Sequence, residues 1–67
     1  MKEIDVRGLS CPEPVLRVKN ELDSGEEELL VIANEAHTVK NITKFCEKLG
    51  KKVTTEEVGL EYKLEIK

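Results

Sequence analysis

The chain has 67 residues, two cysteines and a formal net charge of −3, with 39% of its residues hydrophobic and 37% charged. That size fits one domain over 1–67, near the lower limit for a chain that folds around its own core, and the mixture is that of a soluble rather than a disordered protein. The acidic balance argues against direct nucleic-acid binding, two cysteines are too few for a secreted disulfide scaffold, no apolar run approaches membrane-spanning length, and "MKEIDV" lacks a signal-peptide core, so a monomer in a reducing cytoplasm is expected.

The pattern predicts strand, helix, strand, helix, strand, strand. Residues 2–6 alternate, with Ile4 and Val6 on one face, and Arg7-Gly8 ends that strand. A helix is expected from about Pro12 to Ser24, with Val15, Val18 and Leu22 as its buried stripe, Leu16 beside it and Gly25 as its stop. "LLVIA", 29–33, is continuously apolar and reads as an interior strand. Asn34 is expected to cap a second helix over 35–49, stopped by Gly50, with Val39, Ile42, Phe45, Cys46 and Leu49 on one apolar face. "KKVTTEE" is polar enough for a sheet edge, whereas "LEYKLEI" alternates with Leu60, Tyr62, Leu64 and Ile66 inward. Val58-Gly59 joins these strands. Valine resists positive φ, so a type I turn with Gly59 in the left-handed position of a bulge is expected. The sum is an α/β two-layer sandwich, βαβαββ, with both helices on one face of a four-stranded sheet. A right-handed crossover makes the first two strands parallel and brings both helix N-termini to one end.

The stretch "GLSCPEPVL", residues 8–16, stands apart. Two registers compete for the helix start. In one, Cys11 is the N-cap and Pro12 is the first helical residue; in the other, Ser10 caps and forms a capping box with Glu13. Both place Cys11 in the first turn, where orphan N–H groups and the helix dipole favour a negative sulfur. The first register is preferred. In it Pro12 and Pro14 remove half of the usual donors, so a thiolate leans on the dipole, on the Glu13 amide and on Arg7, while the charge of Glu13 opposes it. A modestly lowered thiol pKa is the expectation. Position 14 carries more information. In a C-x-x-C redox motif the second cysteine discharges a mixed disulfide, and here Pro14 stands in its place. Sulfur placed on Cys11 would meet no resolving thiol, which is the chemistry of a carrier. Cys11 also keeps spacing with Val15, Val18 and Leu22, so a buried, inert cysteine stays open as an alternative.

Asp5-x-Arg7-Gly8-Leu9-x-Cys11-Pro12-Glu13-Pro14-Val15 resembles the signature of the TusA/SirA/YedF family of small sulfur carriers. The likeness extends through "NITKFCEKLG" to the closing "VGLEYKLEIK", and Asn34-Glu35-Ala36 resembles the YedF branch. The resemblance implies the strand order 1-2-4-3. It also implies a function: the motif cysteine, Cys11 here, takes sulfur from the persulfide of a cysteine desulfurase or other donor and relays it to an acceptor protein. Such relays serve tRNA thiolation or other sulfur and selenium metabolism. Asp5, Arg7, Gly8, Pro12, Glu13 and Pro14 become supporting residues, and partner enzymes would supply most of the catalysis. A non-catalytic interaction module on the same fold is the alternative.

Among the remaining residues, Cys46 lies on the apolar stripe of the second helix, and a core role is expected. His37 turns away from that stripe and reads as exposed. Lys40, Lys44 and Lys48 recur every fourth residue, which fits a solvated face or a docking stripe for an acidic partner. Two cysteines and one histidine match no zinc spacing, and no cofactor motif is present, so neither metal nor cofactor is expected.

Overall fold

The computed structural model describes residues 2–9 and 13–67. Its elements run β1 (Lys2–Asp5), α1 (Glu13–Asp23), β2 (Leu29–Ala33), α2 (Ala36–Lys48), β3 (Val53–Val58) and β4 (Glu61–Ile66). The strands form one sheet in the order β1-β2-β4-β3. β1 pairs parallel to β2, and the other two pairings are antiparallel. β2 is therefore interior, as its unbroken apolar run requires, and the polar β3 is an edge.

The buried strand residues share one parity. Ile4, Leu29, Val31, Ala33, Leu64 and Ile66 point to the face that also receives Val18 of α1 with Ile42 and Cys46 of α2. Both helices thus cover one side of the sheet. Leu29, Ile42, Leu64 and Ile66 are completely buried, each removing apolar surface that contributes about 2 kcal/mol. Around them Leu9, Val15, Leu22, Val39, Phe45, Val53 and Tyr62 pack as a partly buried ring. The opposite sheet face carries Glu3, Asp5, Lys63 and Glu65 exposed beside half-buried Leu30 and Ile32.

Three expectations are corrected. The second helix is capped by Glu35, not Asn34: Glu35 is extended (φ −131, ψ 135), its side chain makes no cap bond, and its carbonyl accepts the Val39 N–H at 3.2 Å. The first helical bond fixes the boundary there, one residue later than the better capping side chain suggests. Leu49 leaves the apolar face because the helix ends at Lys48. It becomes the C-cap and is 54% exposed.

The third correction concerns the hairpin. Val58 still pairs, with Glu61, so the loop is Gly59-Leu60 rather than Val58-Gly59. Gly59 has φ 61, and no non-glycine residue among those described has positive φ. Positive φ at the first loop position alone is the signature of a type II′ turn, whose twist matches the flanking strands. No bulge is needed. Leu60, expected inward, lies in the turn and is 92% exposed, while Leu64 and Ile66 are buried as expected and Tyr62 is half-buried.

A Cβ at Gly59 meets no neighbouring atom, so the cost of substitution is backbone conformation alone. Gly59→Ala should lower the unfolding free energy by about 1 kcal/mol, measured by urea denaturation, and an unchanged free energy would contradict the left-handed φ at this position.

Candidate functional site

The motif segment leaves β1 through a tight turn. The Val6 N–H donates to Ile32 O at 2.9 Å, and the Leu9 N–H donates back to Val6 O at 3.3 Å. Between them Gly8 takes φ 78, a conformation open to glycine. Val6 is buried and Leu9 half-buried against the core. On the far side of the motif, exposed Glu13 begins α1 and Pro14 is buried with Val18. Ser10, Cys11 and Pro12 lie outside the described residues, and with them the choice of cap register and the surroundings of the thiol.

Asp5 and Arg7 are joined as the motif spacing allows. The Arg7 side chain donates from Nε to Asp5 Oδ1 at 2.9 Å and from Nη2 to Oδ2 at 2.7 Å, and the Arg7 backbone N–H adds a bond to Oδ1 at 3.0 Å. The guanidinium's remaining arm donates from Nη1 to Glu61 Oε2. Glu61 opens β4, and sequence reasoning missed it. Its signal is topological: once β4 is placed beside β2, the start of β4 falls at the end of the sheet where β1 finishes. The side-chain bonds from Arg7 hold the Asp5 carboxyl down at about 2, against an ordinary value of 3.8, and the two carboxylates push the arginine still further up. One cation against two anions leaves this cluster net negative. Arg7 thus commits its side-chain donors to two carboxylates that fix the turn, and the help it was expected to lend a thiolate at Cys11 lies outside the described residues.

The other candidates separate cleanly. Cys46 is completely buried, and burial pushes its thiol up, with Lys51 opposing only in part. It sits ten residues past Ala36, about 15 Å along the helix axis from the N-terminus. The parallel β1–β2 pairing brings the N-termini of both helices to one end, so Cys46 lies deep along α2, away from the motif end. His37 is exposed, and its Nε2 lies 3.0 Å from Glu35 Oε2. Lys40, Lys44 and Lys48 are all exposed. Among the described residues no group of His, Cys, Asp and Glu is placed to hold a metal ion, and no helix is long and apolar enough to cross a membrane.

The depressed Asp5 carboxyl has a pH consequence. Its folded pKa lies below the unfolded one, so the stability it contributes is complete above about pH 4 and is lost as pH falls through about 2. A carbon-detected NMR titration should give Asp5 a midpoint of about 2 that rises part of the way toward the ordinary carboxylate range in Arg7→Gln, which keeps the backbone bond to Oδ1; an unchanged midpoint in that variant would assign the shift to another cause.

Comparison with known proteins places this geometry. The family model described as sulfurtransferase TusA matches residues 2–67. A protein of Methanocaldococcus jannaschii bearing the provisional name of a sulfur carrier protein is 39% identical over 71 aligned positions, covering 100% of this chain and 93% of that one. The crystal structure of a SirA-like protein from Desulfitobacterium hafniense superposes with a TM-score of 0.87 at 28% identity, covering 98% of this chain and 95% of the other. The family match over residues 2–67 spans the Val6–Leu9 turn, the cysteine motif, both helices and the Gly59-Leu60 turn. The chain is a member of the TusA sulfurtransferase family.

Proposed function

We propose that this protein carries sulfur as a persulfide on Cys11, receiving it from a donor protein and delivering it to an acceptor. The observation that carries this reading is the division between the two cysteines. One lies in the C-P-x-P motif inside a family match over residues 2–67, and the other is sealed in the core with a raised pKa. Burial removes Cys46 from any exchange with a protein partner.

In the loading step the Cys11 thiolate attacks the outer sulfur of a donor persulfide. The donor's S–S bond breaks as a new one forms on Cys11. The donor cysteine leaves as a thiolate and takes up the proton that Cys11 released, so the exchange involves no net oxidation. Delivery repeats the same step with Cys11–S–SH as donor. A cysteine desulfurase or another persulfide-bearing protein is the donor, and the identity of the acceptor sets the pathway, tRNA thiolation being one such end. Gly8 and Leu9 pin the approach to the motif, Pro12 stiffens its frame, and the Arg7 fork to Asp5 and Glu61 holds the turn in place. Glu13 disfavours an over-stabilised thiolate, which keeps the sulfur nucleophilic. Pro14 is buried at the position where a redox motif would hold its resolving thiol.

Incubation with a cysteine desulfurase and cysteine, without reductant, followed by intact-mass measurement, should give a gain of one sulfur. The gain should vanish in Cys11→Ser and survive in Cys46→Ala. A chain that gains no sulfur from several desulfurases acts instead as an interaction module. Pro14→Cys supplies the missing resolving thiol: the introduced thiolate should attack the inner sulfur of the Cys11 persulfide, close a disulfide with Cys11 and release hydrosulfide. The persulfide lifetime should then fall at least tenfold, whereas an unchanged lifetime would remove the role assigned to Pro14.

A further inference from the structure

Leu60 is the most exposed large apolar side chain among the described residues, at 92%, and Val58 beside it is 43% exposed. A leucine at a two-residue turn serves neither the core nor the turn, since type II′ geometry requires only the glycine. Its place in the fold is specific. Val58 and Glu61 form the last rung of the β3–β4 hairpin, and Glu61 holds Arg7, four residues before Cys11 in the chain. The hairpin tip is therefore tied through one guanidinium to the turn that leads into the motif.

The charge around the tip is one-sided. Asp5 and Glu61 together outnumber Arg7, Lys63 is matched by Glu56 across the hairpin, Glu35 accompanies His37, and exposed Glu13 and Glu57 leave the balance at this end of the sheet negative. An exposed apolar knob in an acidic surround complements a surface that offers an apolar socket bordered by lysine or arginine. The geometry points to the Leu60 tip as the docking anchor for the persulfide donor protein, seated so that its sulfur-bearing cysteine meets the motif. This inference rests on the carrier reading and adds to it the surface that selects the partner. Because Glu61 and Arg7 fix the tip relative to the motif turn, engagement of the tip orients the whole motif end toward the donor. Apolar anchors of this kind dominate binding when they enter a desolvated pocket, while surrounding charges set the encounter rate.

The test is binding of the full chain to a cysteine desulfurase by isothermal titration, with loading of Cys11 by glutathione persulfide measured in parallel. Leu60→Ala should weaken binding about tenfold and Leu60→Lys more, with thermal midpoints and glutathione-persulfide loading at wild-type values. Binding of the native chain should also weaken as salt rises. Affinities within twofold of wild type for both variants would overturn the proposal, and so would a native chain that binds none of several desulfurases. Failure of the carrier reading looks different: Cys11 would take no sulfur from glutathione persulfide or from the enzyme, whatever the Leu60 variants bind.

Discussion

The two unlike pairings of β2 determine what shares the motif end of this protein. β1 lies parallel on one side of β2 and β4 antiparallel on the other. The parallel pairing forces a crossover, which α1 provides, and brings the starts of α1 and α2 to the end where β1 and β2 finish. The antiparallel pairing brings the start of β4 to that same end, and with it the hairpin tip. Residues from opposite termini thereby become neighbours, and Arg7 reaches Glu61 across 54 positions of sequence. In a chain of this length such contacts are the economical route to a defined site, because few side chains are left over once the core is filled.

Burial takes one of the two thiols out of reach without any catalytic machinery. Cys46 fills space beside Ile42 and Val18, where its low polarity is useful and its acidity is suppressed. Cys11 belongs to a segment whose described flanks are half-buried Leu9 and buried Pro14. A carrier needs a sulfur that is nucleophilic enough to accept cargo and slow enough to lose it. In the proposed carrier, Pro14 standing where a resolving thiol would be serves the second need. The ion pairs near the motif are exposed, so their value lies in fixing geometry more than in stability.

Much of this was legible in the chain itself. The alternation of 60–66, the apolar run 29–33 and the glycines after each helix report burial and backbone conformation directly, and the sheet and helices follow from them. The strand order 1-2-4-3 came through family resemblance, and the sheet has that order. What escaped depends on information that is not local. Glu61 looks like an ordinary solvent-facing residue in "LEYKLEI" until topology sets it beside Arg7. Leu60 keeps the inward parity of its strand, yet a one-residue shift of the turn carries it out of the sheet. Asn34 is the better capping side chain, but hydrogen bonding starts the helix from Glu35. The roles of Cys11 and its prolines came from the motif alone, since periodicity suits a buried cysteine equally well.

The central claim is that one identified sulfur atom, Cys11 Sγ, holds the cargo. The most direct measurement loads the chain with ³⁵S from labelled cysteine through a desulfurase, separates the proteins, blocks the persulfide with iodoacetamide under native conditions and maps the label after trypsin. The account predicts label on the peptide spanning residues 8–17 at no more than one sulfur per chain, released by excess thiol. Label on the peptide spanning residues 45–48, or a chain that emerges unlabelled, would contradict it.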